Sequence, residues 1–360
     1  MNTQQNRSET EVLSGNIYIF QAFDIGDDIN LEGIRHAGNI AIMPLSLPKY
    51  FKKYHMPLAI EPPPFSAHCI SVKLHSFGAL SLTYKTPFVD TLHNLRKNFN
   101  DIVYSFKDQS LTDAKTIFKK VEHQVVKANF FDIRSTYVLI QVNPQPDRLD
   151  LKQFQSEYNN IIASTLRFET EILSEEQTKE ILASAVGYFR GERVIIDTDA
   201  AFAYDETYEE ILDLLEFANI QRLELQYFDR VLDQQLNRIY AREVKKLPIS
   251  SYIPLISLLS KSPTDMLSQL KVDISVIIER LENSIKLSGE PYFTELYNLL
   301  VDKLDLISWR TSIERKLSIV QDIQNIYQHK IDATREDTLS VLIVILILIE
   351  VVVATLDYLK

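Results

Sequence analysis

The sequence has one cysteine, Cys69, one tryptophan, Trp309, eight glycines and thirteen prolines among its 360 residues. A single thiol closes no internal disulfide, so the fold must rest on packing, and a reducing compartment such as the cytoplasm is expected. With so few glycines, neither GxxxxGK nor GxGxxG occurs, which removes the standard phosphate-cradling loops. Scarce Gly and Pro also predict an ordered, helix-rich chain. Basic residues are outnumbered, 38 against 49 acidic, for a net charge of −11. That balance repels phosphate backbones and disfavours nucleic acid as a partner. The first fourteen residues are polar and lack the apolar core of a secretory signal, so no export is expected from them.

What is abundant sits at the other end. From Leu339 to Leu359 the chain reads LSVLIVILILIEVVVATLDYL. About 21 helical residues at 1.5 Å each span roughly 31 Å, the thickness of a bilayer's hydrocarbon core. Glu350 interrupts the run, but thirteen aliphatic residues lie between Val341 and Leu356. At roughly −0.3 to −0.6 kcal/mol each they outweigh a central carboxylate costing about +3 kcal/mol. The expectation is a single-pass tail anchor at 338–359, with Glu350 facing other copies of the same helix rather than lipid. Lys330 and Arg335 before the run favour a cytoplasmic body on the inner (cytoplasmic) membrane.

Upstream, the pattern predicts an α+β domain over 15–206, after a flexible 1–14. Strands are expected at Asn16–Phe23, Asn39–Leu45, Tyr137–Val142, Glu192–Ile196 and Ala200–Tyr204, with a hairpin across His68–Lys85. Helices are expected at Pro48–His55, Thr91–Val126 and Leu151–Ala185. Residues 207–337 then read as a helical and coiled-coil stalk. Its final helix is expected to run from about Pro291 to the membrane. Ile313, Leu317, Val320, Tyr327 and Ile331 repeat at alternating spacings of 3 and 4, with Gln324 in register, as in the seam of a homo-oligomer; a helix packed inside its own helical domain has the same periodicity.

Few residues suggest chemistry. Asp197, Asp199, Asp205 and Glu206 could converge on a hard cation, which needs several oxygens, although aspartates also make tight turns and start helices. His68, Cys69 and His75 have zinc-ligand chemistry, but strand alternation sends the two histidines to opposite faces and groups Cys69 with His75, so no metal is assigned. Lys49, Lys52 and Lys53 alternate with Tyr50, Phe51 and Tyr54, a basic and aromatic pattern that an amphipathic helix also produces. The other histidines are scattered singly, Trp309 reads as core, and no catalytic residue or cofactor can be named.

The C-terminal third carries a resemblance. PYFTELY (Pro291–Tyr297), SWR (Ser308–Arg310), the heptads around Leu317–Tyr327, Arg335 and the closing Ile349-Glu350-Val351 together resemble the family called required for meiotic nuclear division. Residues Val194–Asp229 look like its bacterial relatives. Thr294 stands where the family often has Trp, and Leu339-Ser340 where it often has Leu-Glu. The resemblance implies a membrane-anchored homo-oligomer without established enzymatic activity, which in mitochondria supports translation.

The combined expectation is a tail-anchored oligomeric scaffold or adaptor. Its partners would be the lipid bilayer, other copies through the C-terminal helices, and a protein or ribosome-associated factor recruited by the head. Two alternatives stand beside it: an enzyme with a metal-dependent site at the 197–206 acids, and an ion-conducting assembly of CorA-like architecture. CorA-type channels, however, have two membrane helices and a Gly-Met-Asn loop, and this chain has one apolar run and no such tripeptide.

Overall fold

A computed structural model describes residues 11–38, 40–45, 56–131, 133–144, 151–189, 191–241, 263–283 and 291–358. The elements in chain order are β1 (Leu13–Asp24), β2 (Asp28–Ile29), α1 (Leu31–Ala37), β3 (Leu58–Ile60), β4 (Cys69–Leu74), β5 (Ala79–Asp90), α2 (Leu92–Val121), β6 (Val125–Val126) and β7 (Arg134–Val142). They continue with α3 (Leu151–Leu166), α4 (Glu175–Leu182), β8 (Ala185–Val186), β9 (Arg193–Ile196), β10 (Ala200–Tyr204), α5 (Glu209–Ala241), α6 (Pro263–Asn283), α7 (Pro291–Lys303) and α8 (Leu306–Tyr358).

The chain divides into two units. The first comprises Met1–Tyr227 with Ile277–Arg310, and the second Phe228–Val276 with Thr311–Lys360. The first unit thus takes residues from both sides of position 206.

An eight-stranded sheet organises the first unit, in the order β3-β4-β5-β1-β7-β10-β9-β8. Its neighbours pair antiparallel except β7 and β10, which run parallel. Two strands that run parallel need a long crossover, and α3 and α4 lie within that connection. The central strand β1 alternates cleanly between the two faces. Ile17, Ile19 and Phe23 join the apolar core with α2, α3 and α4, whereas Tyr18, Phe20, Ala22 and Asp24 point to the other face, as the period of two requires. All four of these are buried. Helix α5 covers that second face, and the buried polar groups described below join the two.

Local chemistry accounts for several boundaries. Thr91 caps α2 by accepting from Asn94 N, and Ser174 caps α4 by accepting from Gln177 N. The β4–β5 hairpin turns at Gly78, φ +107°, where a Cβ would come within 1.7 Å of Gly26 O. No side chain fits there.

Three expectations need correction. The Asn39–Leu45 segment forms only an isolated bridge, Ile42 to Ile60. Leu151–Ala185 is two helices rather than one, because the chain leaves helical geometry at Phe168, φ +60°. The terminal helix likewise starts anew at Leu306, after Asp305 takes φ +55°, so α7 and α8 are separate. The expected helix at Pro48–His55 lies wholly outside the described residues, and with it Lys49, Tyr50, Phe51, Lys52, Lys53 and Tyr54.

In the second unit, α8 runs antiparallel to α6 and parallel to α5. Lys316 Nζ sits 2.7 Å from both Asp229 Oδ1 and Asp233 Oδ1 of α5, and Ser312 Oγ donates to Asp229 at 2.7 Å. Lys271 of α6 donates to Gln321 at 2.7 Å. Beyond this bundle α8 continues into Leu339–Asp357, 19 residues of mean hydropathy 3.0 with none of them buried. This one apolar helix is long enough, at roughly 28 Å, to cross a hydrocarbon core.

Candidate functional site

Helix α5 is buried on every side from Leu214 to Leu225, yet it carries Asp213, Glu216, Asn219 and Glu224 at spacings that keep them near one face. This face meets the polar side of the sheet. Lys73 of β4 inserts between two acids, its Nζ 2.6 Å from Glu216 Oε2 and 2.9 Å from Asp213 Oδ1. Ser81 of β5, directly opposite Lys73 in the ladder, donates to the other Glu216 oxygen. Burial alone would discharge both ends of the pair. The two carboxylates instead hold the Lys73 ammonium well above its usual range, and Lys73 outweighs the burial of Glu216 to keep its carboxyl below the ordinary value. Asp213 goes the other way: burial exceeds the help it receives from Lys73, and its pKa rises. His75 lies in the same layer, buried and tilted against Phe77 at 5.2 Å between centroids, with Nε2 lacking any hydrogen-bond partner among the described residues. Burial lowers its pKa to about 4, so the ring is neutral at physiological pH.

At the far end of β1 the balance fails. Asp24 is 1% exposed and Glu224 is fully buried, and Asp24 Oδ1 and both Glu224 oxygens have no hydrogen-bond partner among the described residues. Burial first, then the neighbouring acids, drive both carboxyls well above their usual range: Asp27 acts on Asp24, and Asp24 and Asp27 act on Glu224. The same acids and burial raise the Tyr227 phenol. Asp27 itself is neutralised by Lys127 at 2.5 Å. The arrangement favours the protonated form of both buried carboxyls; no group of three or more His, Cys, Asp or Glu suited to a metal exists among the described residues.

A third set fixes α5 over the centre of the sheet. Arg222 donates from Nε to Ser135 Oγ at 2.9 Å, from Nη1 to Thr198 O at 3.0 Å and Asp199 Oδ1 at 2.9 Å, and from Nη2 to Thr136 O at 2.6 Å. Its guanidinium also lies over the Tyr137 ring, 5.9 Å from the centroid.

The acids singled out in the sequence are not brought together. Asp197 is fully buried between Arg167 Nε, 2.5 Å away, and Lys303 Nζ at 3.9 Å. Asp199 pairs with Arg222. Asp205 accepts from Thr207 N at 2.8 Å, a turn that leads into α5. Glu206 is exposed. Charge already neutralised by Arg and Lys is not offered to a metal.

Nor does Cys69 share a face with His75. A bulge between Cys69 and Ser71 shifts the register, which turns Cys69 into the core beside Tyr84 and leaves Ile70 half exposed. Burial, followed by the Asp113 charge, pushes its thiol up to about 12, so it is inert. Trp309 is half-buried.

The expected oligomer seam is covered within a single chain. Ile313, Leu317, Val320, Gln324, Tyr327 and Ile331 are all buried, and Gln324 Nε2 donates to Ser268 Oγ of α6 at 2.9 Å. A 3–4 repeat packs equally well against the chain's own helices. Glu350, by contrast, is exposed within the apolar end of α8.

Sequence reasoning missed Lys73, Glu216, Asp24, Glu224 and Arg222. The available signal was polar residues recurring inside otherwise apolar periodic segments, in CISVKL of β4 and along α5.

Comparison with known proteins places this architecture. The chain is 26% identical over 260 residues to Uncharacterized protein MJ0711 of Methanocaldococcus jannaschii, an alignment covering 71% of this chain and 77% of that protein. No solved structure matches. A family model described as Uncharacterized protein MJ0711, N-terminal domain, matches residues 14–210, which encloses the sheet together with α1 to α4. With more than half of its length inside that match, the chain belongs to the MJ0711 N-terminal domain family.

Proposed function

We propose that the protein is a membrane-tethered scaffold or adaptor, held by the end of α8 and presenting its α+β head in the cytoplasm. One observation carries this reading: Leu339–Asp357 has a mean hydropathy of 3.0 and buries nothing, although every apolar position of the same helix between Ile313 and Ile331 named above is packed. In water, such a run exposes far more contiguous apolar surface than a soluble protein carries without a partner. A bilayer removes it. The resemblance of Pro291–Val351 to the required-for-meiotic-nuclear-division family supports the same architecture and extends it to a supporting role beside translation at a membrane.

The head supplies binding surface rather than an assembled reaction centre. Beneath α5, Lys73 is paired with Glu216 and Asp213, and Arg222 with Asp199. Because the seam of α8 is already occupied, any self-association would run through the apolar end, where Glu350 is the sole acid between Leu339 and Leu356. The tether is tested by flotation with liposomes: the full chain should rise with lipid, and a chain ending at Asp337 should stay in the dense fraction. Equal behaviour of the two would refute it. Self-association is tested by the detergent-solubilised mass of Glu350→Leu against wild type; an unchanged mass removes Glu350 from any helix contact.

A further inference from the structure

The turn between β8 and β9 exposes two large aromatics. Tyr188 and Phe189 are 62% and 63% exposed, although burying such rings is favourable. The turn that presents them is closely built. Phe189 N donates to the Glu192 carboxylate at 3.0 Å, and Glu192 N donates back to Phe189 O at 3.3 Å. Gly191 takes φ +107°, and a Cβ on Gly187 would meet Glu192 O at 2.5 Å. The rings are therefore held outward by a turn that tolerates little change.

They do not stand alone. Tyr188 meets Phe189 edge-on at 4.6 Å and reaches Tyr292, the second residue of α7, at 5.1 Å; Tyr292 meets Phe293 at 5.2 Å. Successive ring planes are inclined at 84°, 55° and 63°, the splayed arrangement that offers π faces from several sides. The Tyr292 hydroxyl is buried and has no hydrogen-bond partner among the described residues. Burial first, then the charges of Asp205, Glu192 and Glu295, raise its pKa, which places three carboxylates around this phenol. An exposed aromatic pair with negative ring faces and a carboxylate border is complementary to a cation.

We propose that Tyr188, Phe189, Tyr292 and Phe293, bordered by Glu192 and Glu295, form a receptor for an arginine or lysine side chain on a basic peptide segment of a partner protein. A guanidinium or ammonium can lie on the exposed faces of Tyr188 and Phe189 and be neutralised by the carboxylates. A choline headgroup has the same positive charge, but its adjoining phosphate would face the same carboxylates, so peptide is favoured over lipid. The site lies wholly within the first unit and does not depend on the membrane tether.

The test uses the full chain in detergent micelles with fluorescently labelled, end-capped tetra-arginine, and the uncharged tetra-citrulline as control. Wild type should bind tetra-arginine and not tetra-citrulline. Tyr188→Ala with Phe189→Ala leaves the net charge unaltered and should weaken binding roughly tenfold; Glu295→Gln should weaken it about threefold. Unchanged melting temperatures for both variants would attribute these losses to the site. Wild-type failure to bind, equal binding of tetra-citrulline, or equal binding by the double aromatic variant would overturn the proposal. So would capture of phosphatidylcholine vesicles at the same rings without capture of the peptide. If wild type fails but Arg190→Gln binds, the occupant is the chain's own arginine and the partner reading is overturned as well.

Discussion

Lys73 Nζ and Glu216 Oε2 lie 2.6 Å apart although they are 143 positions apart in sequence, and through this bond strand β4 and helix α5 hold one another. The pair is buried, and Asp213 and Ser81 complete its coordination. Removing one partner of such a pair strands the other without water. Lys73→Met should therefore destabilise the first unit by ~3–5 kcal/mol, measured by denaturant unfolding. Adding Glu216→Leu and Asp213→Leu should recover a large part of that loss, since a buried ion pair and a packed apolar layer are of similar stability. A triple variant no more stable than the single one would contradict this description.

Asp24 and Glu224 have the opposite electrostatic sign. Their folded pKa values are raised, so the native state holds protons that the unfolded chain releases above its ordinary carboxylate range. Their contribution is fully favourable below that range and is lost as pH rises toward the folded values. Glu224→Gln should thus be more stable than wild type at pH 8, by roughly 1 kcal/mol or more, and the advantage should shrink toward pH 4. Melting temperatures across that interval check it; an advantage that grows on acidification would be inconsistent.

His75 acts in the lower part of the same range with the reverse slope. Its folded pKa is lowered from 6.5 to about 4, so the unfolded state binds the proton first. Stability from this group is present above pH 6.5 and declines as pH falls through 4. His75→Leu should flatten that decline. Calorimetry from pH 7 to pH 4 decides, and a decline of equal steepness in the variant would rule His75 out as its source.

Arg222 supplies the planar fork that ties Ser135, Thr136, Thr198 and Asp199 to α5. Lysine cannot reproduce those directions. Arg222→Lys should cost ~2–4 kcal/mol, because several buried acceptors lose their donor together. A loss under about 1 kcal/mol by denaturant titration would mean that water replaces the fork.

Gly78 is the steric counterpart. With φ +107° and Gly26 O within 1.7 Å of any added Cβ, Gly78→Ala should cost at least ~4 kcal/mol, seen as loss of cooperative unfolding. Gly38→Ala is the control: φ is +65° there, but no atom lies within 4 Å of the added Cβ, so only the modest backbone strain of about 1–2 kcal/mol should appear.

How much of this was legible in the sequence follows from the range of each signal. Strand alternation in NIYIFQAF, the turn at Ser76 to Gly78 and the apolar run after Leu339 are local, and β1, the β4–β5 hairpin and the end of α8 follow them. Three features depend on non-local contacts. The bulge at Cys69 reverses the facing of one residue without altering composition. The seam from Ile313 to Ile331 has the same periodicity whether its partner is another copy or, as here, the chain's own α6. The acids Asp197 and Asp199 look like a cation cluster only until Arg167, Lys303 and Arg222 arrive from distant segments. Buried groups such as Asp24 and Glu224, 200 positions apart, have no linear signature that joins them.

The central claim is that Leu339–Asp357 resides in lipid. Extraction of native membranes with alkaline carbonate tests it most directly: the full chain should remain in the pellet, and the chain ending at Asp337 should appear in the supernatant. Release of the full chain into the supernatant would contradict the account.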